Sequence, residues 1–100
     1  MLCQAINAHP PHVVTFYYSG DDTPGYRTVE PHMIAYNPAN HLALSAWFLV
    51  GATESGQPGW KEYLLESVSN VAITELVFSG PRPGYKPDGG KRFHQILCAL

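Results

Sequence analysis

The sequence predicts a β-dominated α+β fold: a strongly bent five-stranded antiparallel sheet, or partial barrel, with a short helix at each end. Three observations support this class. Short segments rich in β-branched and aromatic residues recur along the chain, and clusters of Gly, Pro, Asn and Asp separate them. Helical spacing of apolar residues occurs only near the two ends. The length of 100 residues fits a single domain, residues 1–100.

The first helix is predicted over residues 2–8, where Leu2, Ala5 and Ile6 stand at positions i, i+3 and i+4. Two consecutive prolines end it, because proline interrupts a helical backbone. The strand that follows, residues 13–18, is apolar on both faces. Both faces should therefore be covered, and the first helix is the predicted cover.

The remaining strands follow from alternation and turn signals. A second strand is expected over about 26–36, bent near Pro31, which cannot donate to a central ladder. Residues 42–50 alternate most regularly and form the third predicted strand. Two more strands are expected near 60–66 and 70–77.

Residues 79–90, which we call the strap, contain three prolines and cannot form a regular strand or helix. The Pro81-Arg82-Pro83 segment could bind a partner as an extended ligand, or the strap could simply pack Tyr85 onto the sheet. After the strap, apolar residues stand at relative positions i, i+3, i+4 and i+7, which is the spacing of one helical face. This spacing predicts a C-terminal helix over 90–99. These residues are Phe93, Ile96, Leu97 and Leu100.

The charges are unevenly distributed. The formal net charge is −2, which argues against a protein that coats nucleic acid non-specifically. Residues 1–81 carry two basic and seven acidic side chains, net −5, whereas residues 82–100 carry four basic and one acidic, net +3. The basic C-terminal segment is either a local anion-binding surface or a solvated segment.

The two cysteines, Cys3 and Cys98, lie one near each end and form no Cys-x-x-Cys motif. Because no apolar signal segment is present either, the pattern predicts reduced cysteines in a cytoplasmic protein. No apolar run approaches the roughly 20 residues that a membrane helix needs, so no membrane partner is expected.

Two motifs occupy the middle of the chain: Arg27-Thr28-Val29-Glu30-Pro31 and, after a strand break, Trp47-Phe48-Leu49. A tyrosine-ending strand precedes them, and Tyr63-Leu64-Leu65-Glu66-Ser67-Val68 follows. In order and approximate spacing, this set resembles the WYL domain of bacteria and their phages over residues 2–76. The strap and the C-terminal segment resemble a small stand-alone subgroup of that family.

The resemblance implies an Sm-like or SH3-like bent five-stranded sheet with a flanking helix, used to sense a ligand and regulate an attached or partner protein. In several relatives the ligand is thought to be nucleic acid or a nucleotide. The chain departs from the family at Phe48, where tyrosine is usual, and at Leu64 and Ser67, where relatives carry arginines. Bidentate phosphate recognition from that late strand is lost with those arginines.

Six residues are the predicted ligand-binding set, and each has a structural alternative. Arg27 could clamp a phosphate or carboxylate, or form a salt bridge to Glu30 or Glu66. Three aromatic residues could stack on bases or pack in the core, and two basic residues could replace the missing arginines or remain solvated. The aromatic residues are Tyr18, Trp60 and Tyr63, and the basic ones are Lys61 and Arg82.

The leading hypothesis is a non-enzymatic, ligand-sensing regulatory domain that binds a small anionic ligand, a nucleotide or a single-stranded nucleic acid around Arg27. The alternative is a protein-interaction or homodimerisation module without a small ligand. A third hypothesis, an enzyme that uses Glu30 and His32, has no accompanying nucleophile motif. No cofactor and no metal site are predicted, because neither a nucleotide-binding glycine loop nor a cluster of His and Cys is present.

Overall fold

The computed structural model describes residues 1–53 and 56–100. In this part of the chain, one short helix precedes six strands, with a single 3₁₀ turn between the fourth and the fifth. The elements are α1 (Leu2–Asn7), β1 (His12–Tyr18), β2 (Gly25–Tyr36), β3 (Leu42–Gly51), β4 (Gly59–Leu64), the 3₁₀ turn (Leu65–Ser67), β5 (Val68–Val77) and β6 (His94–Ala99). The predicted β-dominated class and the N-terminal helix are confirmed, but the strand number is six rather than five.

All strand pairs are antiparallel, and the order across the sheet is β4-β3-β2-β1-β5, with β6 pairing to β2. The long strand β2 organises this arrangement. Along one edge it pairs with β3 from Arg27 to Tyr36. Along the other edge it pairs first with β1, up to Val29, and then with β6 from Met33 onward. Between β4 and β5 no pairing occurs in the described residues, so the sheet is not closed.

Pro31 lies where β2 changes partners. Its position falls between Val29, the last residue paired with β1, and Met33, the first paired with β6. The register with β3 also shifts between Pro31 and Met33. Proline has no N–H to donate, so a strand tolerates it best at an irregularity of this kind. The predicted interruption of the second strand near Pro31 is thus present in the structure.

The core lies on one face of the sheet, where buried side chains from five strands, β1 to β4 and β6, meet the apolar face of α1. Phe16, Phe48 and Tyr63 are its largest members, and each is at most 1% exposed. The ring of Phe16 meets that of Tyr63 edge to face, with centroids 5.0 Å apart. Helix α1 contributes Leu2, Ala5 and Ile6, so the predicted helical face is the buried one.

The outer face of β2 is also buried, because the strap crosses it. Every residue of β2 from Val29 to Ala35 is buried. On this outer face, Glu30 bonds to Arg82 of the strap, and the His32 ring contacts the Tyr85 ring. The strap has neither strand nor helix, as predicted, and it packs Tyr85 against the sheet.

The C-terminal helix predicted over residues 90–99 is wrong, because this region contains strand β6. The second half of β2 presents an open edge, and β6 satisfies its backbone groups. The apolar residues that suggested a helical face do not form one: Ile96 and Leu97 are 38% and 56% exposed, and Phe93 lies before the strand. Tertiary pairing therefore overrides local spacing here.

The prediction of reduced cysteines is also wrong. Cys3 in α1 and Cys98 in β6 form a disulfide, with their Cα atoms 5.7 Å apart. Local sequence carries no signal for this pair, since 95 residues separate the two cysteines. Across residues 1–53 and 56–100, no helix combines the length and apolar character required to cross a membrane.

Candidate functional site

The structure divides the six predicted ligand-binding residues between two places. Three lie together inside the curved sheet: Tyr18, Arg27 and Tyr63. The other three lie elsewhere: Trp60 and Lys61 are in β4 beside the strap, and Arg82 is in the strap itself. A single groove around Arg27 therefore does not unite them.

Arg27 is buried, with only 2% of its side chain exposed. Its guanidinium donates to both carboxylate oxygens of Asp21, at 3.0 and 3.3 Å, and to the carbonyl oxygen of Thr23 at 2.5 Å. The sequence suggested Glu30 or Glu66 as an ion-pair partner, but the partner is Asp21, in the loop between β1 and β2. Because Arg27 engages Asp21, its hydrogen bond holds the pKa of that carboxyl below the usual value.

The same guanidinium packs against two tyrosine rings, 5.2 Å from the centroid of Tyr18 and 5.8 Å from that of Tyr63. Burial raises the pKa of Tyr63 to about 12. The Tyr18 hydroxyl accepts a hydrogen bond from the backbone N–H of Leu64 at 3.0 Å. These contacts join three strands and a loop, so the Arg27 cluster is built as an internal tie.

The strap is fixed to the sheet by hydrogen bonds near its start. The Arg82 guanidinium donates to both oxygens of Glu30, at 2.7 and 3.0 Å, and lies 5.1 Å from the ring centroid of Trp47. The indole N–H of Trp60 donates to the carbonyl oxygen of Pro83 at 2.9 Å. Arg82 thus positions the strap, and its guanidinium is already engaged by a carboxylate.

His32 is a second anchor for the strap. Its Nε2 accepts a hydrogen bond from the backbone N–H of Arg82 at 3.1 Å, which leaves Nδ1 to donate to the carbonyl oxygen of Glu30 at 2.8 Å. Burial lowers the pKa of His32 and keeps the ring neutral. Glu30 presents its backbone rather than its carboxylate to the ring, so the two side chains do not form an acid–base pair.

Aromatic rings surround His32 and connect the anchor to a cavity. The ring of Phe78 stacks on that of His32, with centroids 5.6 Å apart, and the rings of Trp60 and Tyr85 approach it at 4.7 and 5.3 Å. Trp60 and Tyr85 also line the cavity beside the strap. One wall of the cavity is therefore held in place by the packing around His32.

This cavity, which we call the strap cavity, has a volume of about 410 Å³. Strands β2, β3 and β4 form one wall, and the strap with the turn at 91–93 forms the other. Its lining residues are Met33, Ser45, Trp60, Lys61, Glu62, Gly84, Tyr85, Lys86, Gly89, Lys91, Arg92 and Phe93. Three aromatic and four basic residues thus line the same space.

The charge of the strap cavity is positive, because the one carboxylate among its described lining residues is already engaged. Glu62 accepts from the Arg92 guanidinium at 2.6 Å and from the Asn37 amide at 2.9 Å, one bond to each oxygen. Within the described residues, the ammonium groups of Lys61, Lys86 and Lys91 have no carboxylate at salt-bridge distance. Lys86 and Lys91 lie on the wall formed by the strap and the turn. Lys61 pairs with Ala46, so its side chain shares the sheet face of Tyr63 and not that of Trp60. An anion that entered the cavity would therefore meet the positive charge of Lys86 and Lys91.

Of the predicted set, Trp60 and Lys61 line the strap cavity. Arg27 lines neither this cavity nor a second one, described below, beside the end of α1. The sequence reasoning missed Tyr85 and Phe93 as lining residues, together with the basic residues that follow the strap's prolines. The uneven charge distribution was the signal that could have identified the basic residues. Lys86, Lys91 and Arg92 belong to the C-terminal segment with net charge +3.

The second cavity, of about 360 Å³, lies beside the end of α1 and includes Ile6, His9 and Leu100. Its described lining contains no acidic and no basic side chain other than His9. Among residues 1–53 and 56–100, no group of three or more His, Cys, Asp or Glu side chains is arranged to hold a metal ion. The strap cavity is therefore the better candidate for a binding site.

Comparison with protein-family models, with curated proteins and with solved structures finds no significant match to this chain. The resemblance to WYL domains accordingly stays a prediction.

Proposed function

We propose that this protein is a non-enzymatic, ligand-sensing regulatory domain whose strap cavity binds a small anion that carries a flat ring, such as a nucleotide. One observation carries the proposal: aromatic rings and unpaired ammonium groups line the same cavity. Trp60, Tyr85 and Phe93 offer flat faces, and Lys86 and Lys91 offer positive charge. Stacking on aromatic side chains and attraction of phosphate by cations are the two interactions that nucleotide ligands use.

The size of the cavity favours a mononucleotide over a strand. Small-molecule sites commonly have volumes of about 300–1,000 Å³, and the strap cavity lies within that range at about 410 Å³. A strand would also need a charged groove that continues beyond a single nucleotide. The basic lining residues are instead grouped around one space.

The WYL resemblance is part of the same proposal. We assign the fold to the Sm-like or SH3-like class that the resemblance implies, because a helix precedes five consecutive strands and the long β2 bends near Pro31. In this assignment β6 and the strap are additions to the five-stranded unit. The ligand-contacting cations are then supplied by the segment after residue 82 rather than by Arg27 or by the late strand.

Titration with adenosine monophosphate, followed by Trp fluorescence, tests the proposal. Lys86→Ala and Lys91→Ala should each weaken binding about two- to tenfold, because each removes roughly 0.5–1.5 kcal/mol of charged contact at a solvated site. Raising the salt concentration should weaken binding as well. The matched control is Ser69→Asp, which lowers the net charge by the same amount on an exposed residue of β5, outside the cavity lining.

Two results would contradict this function. The first is equal weakening by Ser69→Asp and Lys91→Ala, since the charge effect would then be unrelated to the cavity. The second is tighter binding of a short single-stranded oligonucleotide than of the mononucleotide, with no loss on substitution of Trp60 by Ala. In that case the ligand would occupy another surface.

A second candidate function is homodimerisation through β5, and the exposure of this strand favours it. Strand β5 lies at one end of the sheet, and among the described strands it pairs only with β1. Leu76 and Val77 near its end are 64% and 49% exposed. Open strand edges with exposed apolar residues readily pair with a second copy. Sedimentation of a single species with the mass of one chain at high concentration would exclude this function.

A further inference from the structure

The wall of the strap cavity that contains the strap is joined directly to β6. The chain runs from the strap through Lys91, Arg92 and Phe93, all of which line the cavity, into β6 at His94. Whatever holds β6 against the sheet therefore also holds this wall in place.

The non-covalent attachment of β6 buries little side-chain surface. At its start the His94 ring stacks on that of Tyr36, and just after its end the Leu100 N–H donates to the carbonyl oxygen of His32. Among the six residues of this strand, only Cys98 is buried. Its pairing with β2 is limited to the end of that strand and contains an irregularity between Ile34 and Tyr36. Exposed Ile96 and Leu97 contribute little burial, at 38% and 56% exposure. A short strand of this kind is expected at the low-stability end of the molecule.

The covalent attachment is the Cys3–Cys98 disulfide, which ties β6 to α1. Helix α1 is itself anchored, because Leu2, Ala5 and Ile6 are buried in the core. By contrast, the strap's first half has its own anchors in the bonds of Arg82 to Glu30 and His32. Without the disulfide, the second half of the wall would be held mainly by exposed contacts, among them the Arg92–Glu62 ion pair and the stacking of His94 on Tyr36. The first half would keep its own anchors.

We infer that the Cys3–Cys98 disulfide is a redox switch for the strap cavity: oxidised, it holds the basic wall closed, and reduced, it lets that wall open and lowers ligand affinity. This inference rests on the proposed function of the cavity. Reduction requires a dithiol reductant. One thiolate attacks a sulfur of the disulfide, the second displaces the mixed disulfide, and two protons and two electrons pass to Cys3 and Cys98 as the reductant becomes a disulfide.

The accessibility of the two sulfurs fits this chemistry. Cys98 is buried at 8% exposure, whereas Cys3 is only partly buried, so a thiolate can approach from the α1 side. A sensor domain whose ligand site depends on such a bond would respond to both ligand and redox state.

The first test follows the wall itself and needs no ligand. Trypsin can cleave after Lys91 and Arg92, whereas proline follows Lys86 and Arg82 and protects those bonds. If the open state rises from about 1% to about 80% on reduction, cleavage after Lys91 and Arg92 should accelerate by up to about eightyfold. The internal control is the bond after Arg27, which is buried within β2 and outside the cavity lining, and which should be cleaved at an unchanged rate.

Unchanged cleavage after Lys91 and Arg92 in a dithiol would overturn the switch. Acceleration at every site, with loss of the β-sheet circular dichroism signal, would overturn it too, because the whole domain would then have unfolded. The double variant Cys3→Ala/Cys98→Ala should behave like the reduced protein and be insensitive to dithiol.

The second test measures binding of adenosine monophosphate with and without dithiol. When only the molecules with a closed wall can bind the ligand, the apparent Kd is inversely proportional to the fraction of such molecules. A wall that is closed in about one molecule in five after reduction would raise Kd about fivefold. If adenosine monophosphate binds in neither redox state but cleavage after Lys91 is accelerated by the dithiol, the proposed function is rejected. The inference that the wall opens on reduction would still hold. Equal Kd in both states would reject redox control of the site.

Discussion

Replacement of Arg27 by alanine should destabilise the fold and leave ligand binding nearly unchanged. Arg27 is only 2% exposed, and its guanidinium bonds to Asp21 and Thr23. Truncation of a long buried side chain costs about 2–5 kcal/mol through lost packing. The ion pair adds less, roughly 0.5–1 kcal/mol, because Asp21 is 42% exposed and can be rehydrated. We therefore expect a loss of about 3–5 kcal/mol in the free energy of unfolding.

Arg27→Met separates the two contributions. Methionine keeps most of the apolar stem that packs beside Tyr18 and Tyr63, but it cannot donate to Asp21. Arg27→Met should therefore lower the free energy of unfolding by about 1–2 kcal/mol, well below the decrease expected for Arg27→Ala. Urea unfolding followed by circular dichroism measures both values. For a domain of this size, each 1 kcal/mol corresponds to a shift in Tm of roughly 4–8 °C.

The same variants distinguish an internal tie from a ligand contact. We expect their affinity for adenosine monophosphate to match that of the unmodified protein at a temperature where both are folded. A Tm within a few degrees of the original, combined with a tenfold or larger loss of affinity, would refute the assignment of Arg27 to the core. Arg27→Lys extends the test, because lysine retains the charge but lacks the planar fork that reaches both oxygens of Asp21.

Two further predictions concern stability. Burial lowers the pKa of His32 below its ordinary value of 6.5, so the unfolded chain binds a proton more readily than the folded one. The stabilisation from neutral His32 is present above about pH 6.5 and is lost as the pH falls below that value. The urea concentration at the midpoint of unfolding should therefore decrease on acidification. In His32→Gln this decrease should be smaller. Gly51→Ala should lower the free energy of unfolding by about 1–3 kcal/mol. Gly51 has φ +129°, and an added Cβ would collide with the carbonyl oxygen of Tyr26. A thermal melt that changes little would contradict this account.

Strand content and the bend of the sheet could be predicted from the sequence because they depend on local properties. Alternation along residues 42–50 matches β3, Leu42–Gly51, within one residue. Pro31 predicted an irregularity because it lacks an N–H, and that consequence is the same in any fold that contains the strand. The apolar face of α1 was likewise readable from the spacing of Leu2, Ala5 and Ile6.

The candidate site could be predicted only in part. Trp60 and Lys61 were selected from the sequence, and they line the strap cavity. Arg27 was selected through a motif, yet the loop between β1 and β2 folds back and supplies Asp21 as its partner. Whether a basic side chain meets solvent or a carboxylate depends on residues brought near it by the fold, and that information is absent from a local motif.

The tertiary structure alone decided the conformation of the C-terminus and the state of the cysteines. Residues 94–99 carry helical spacing, but the unpaired edge of β2 offers backbone partners that outweigh this weak preference. Cys3 and Cys98 meet because α1 and β6 pack side by side, across 95 residues of sequence. The sequence by itself thus determined the first five strands and the irregularity at Pro31. Pairing, burial and the assembly of the basic cavity depend on contacts between distant residues, which only the folded chain creates.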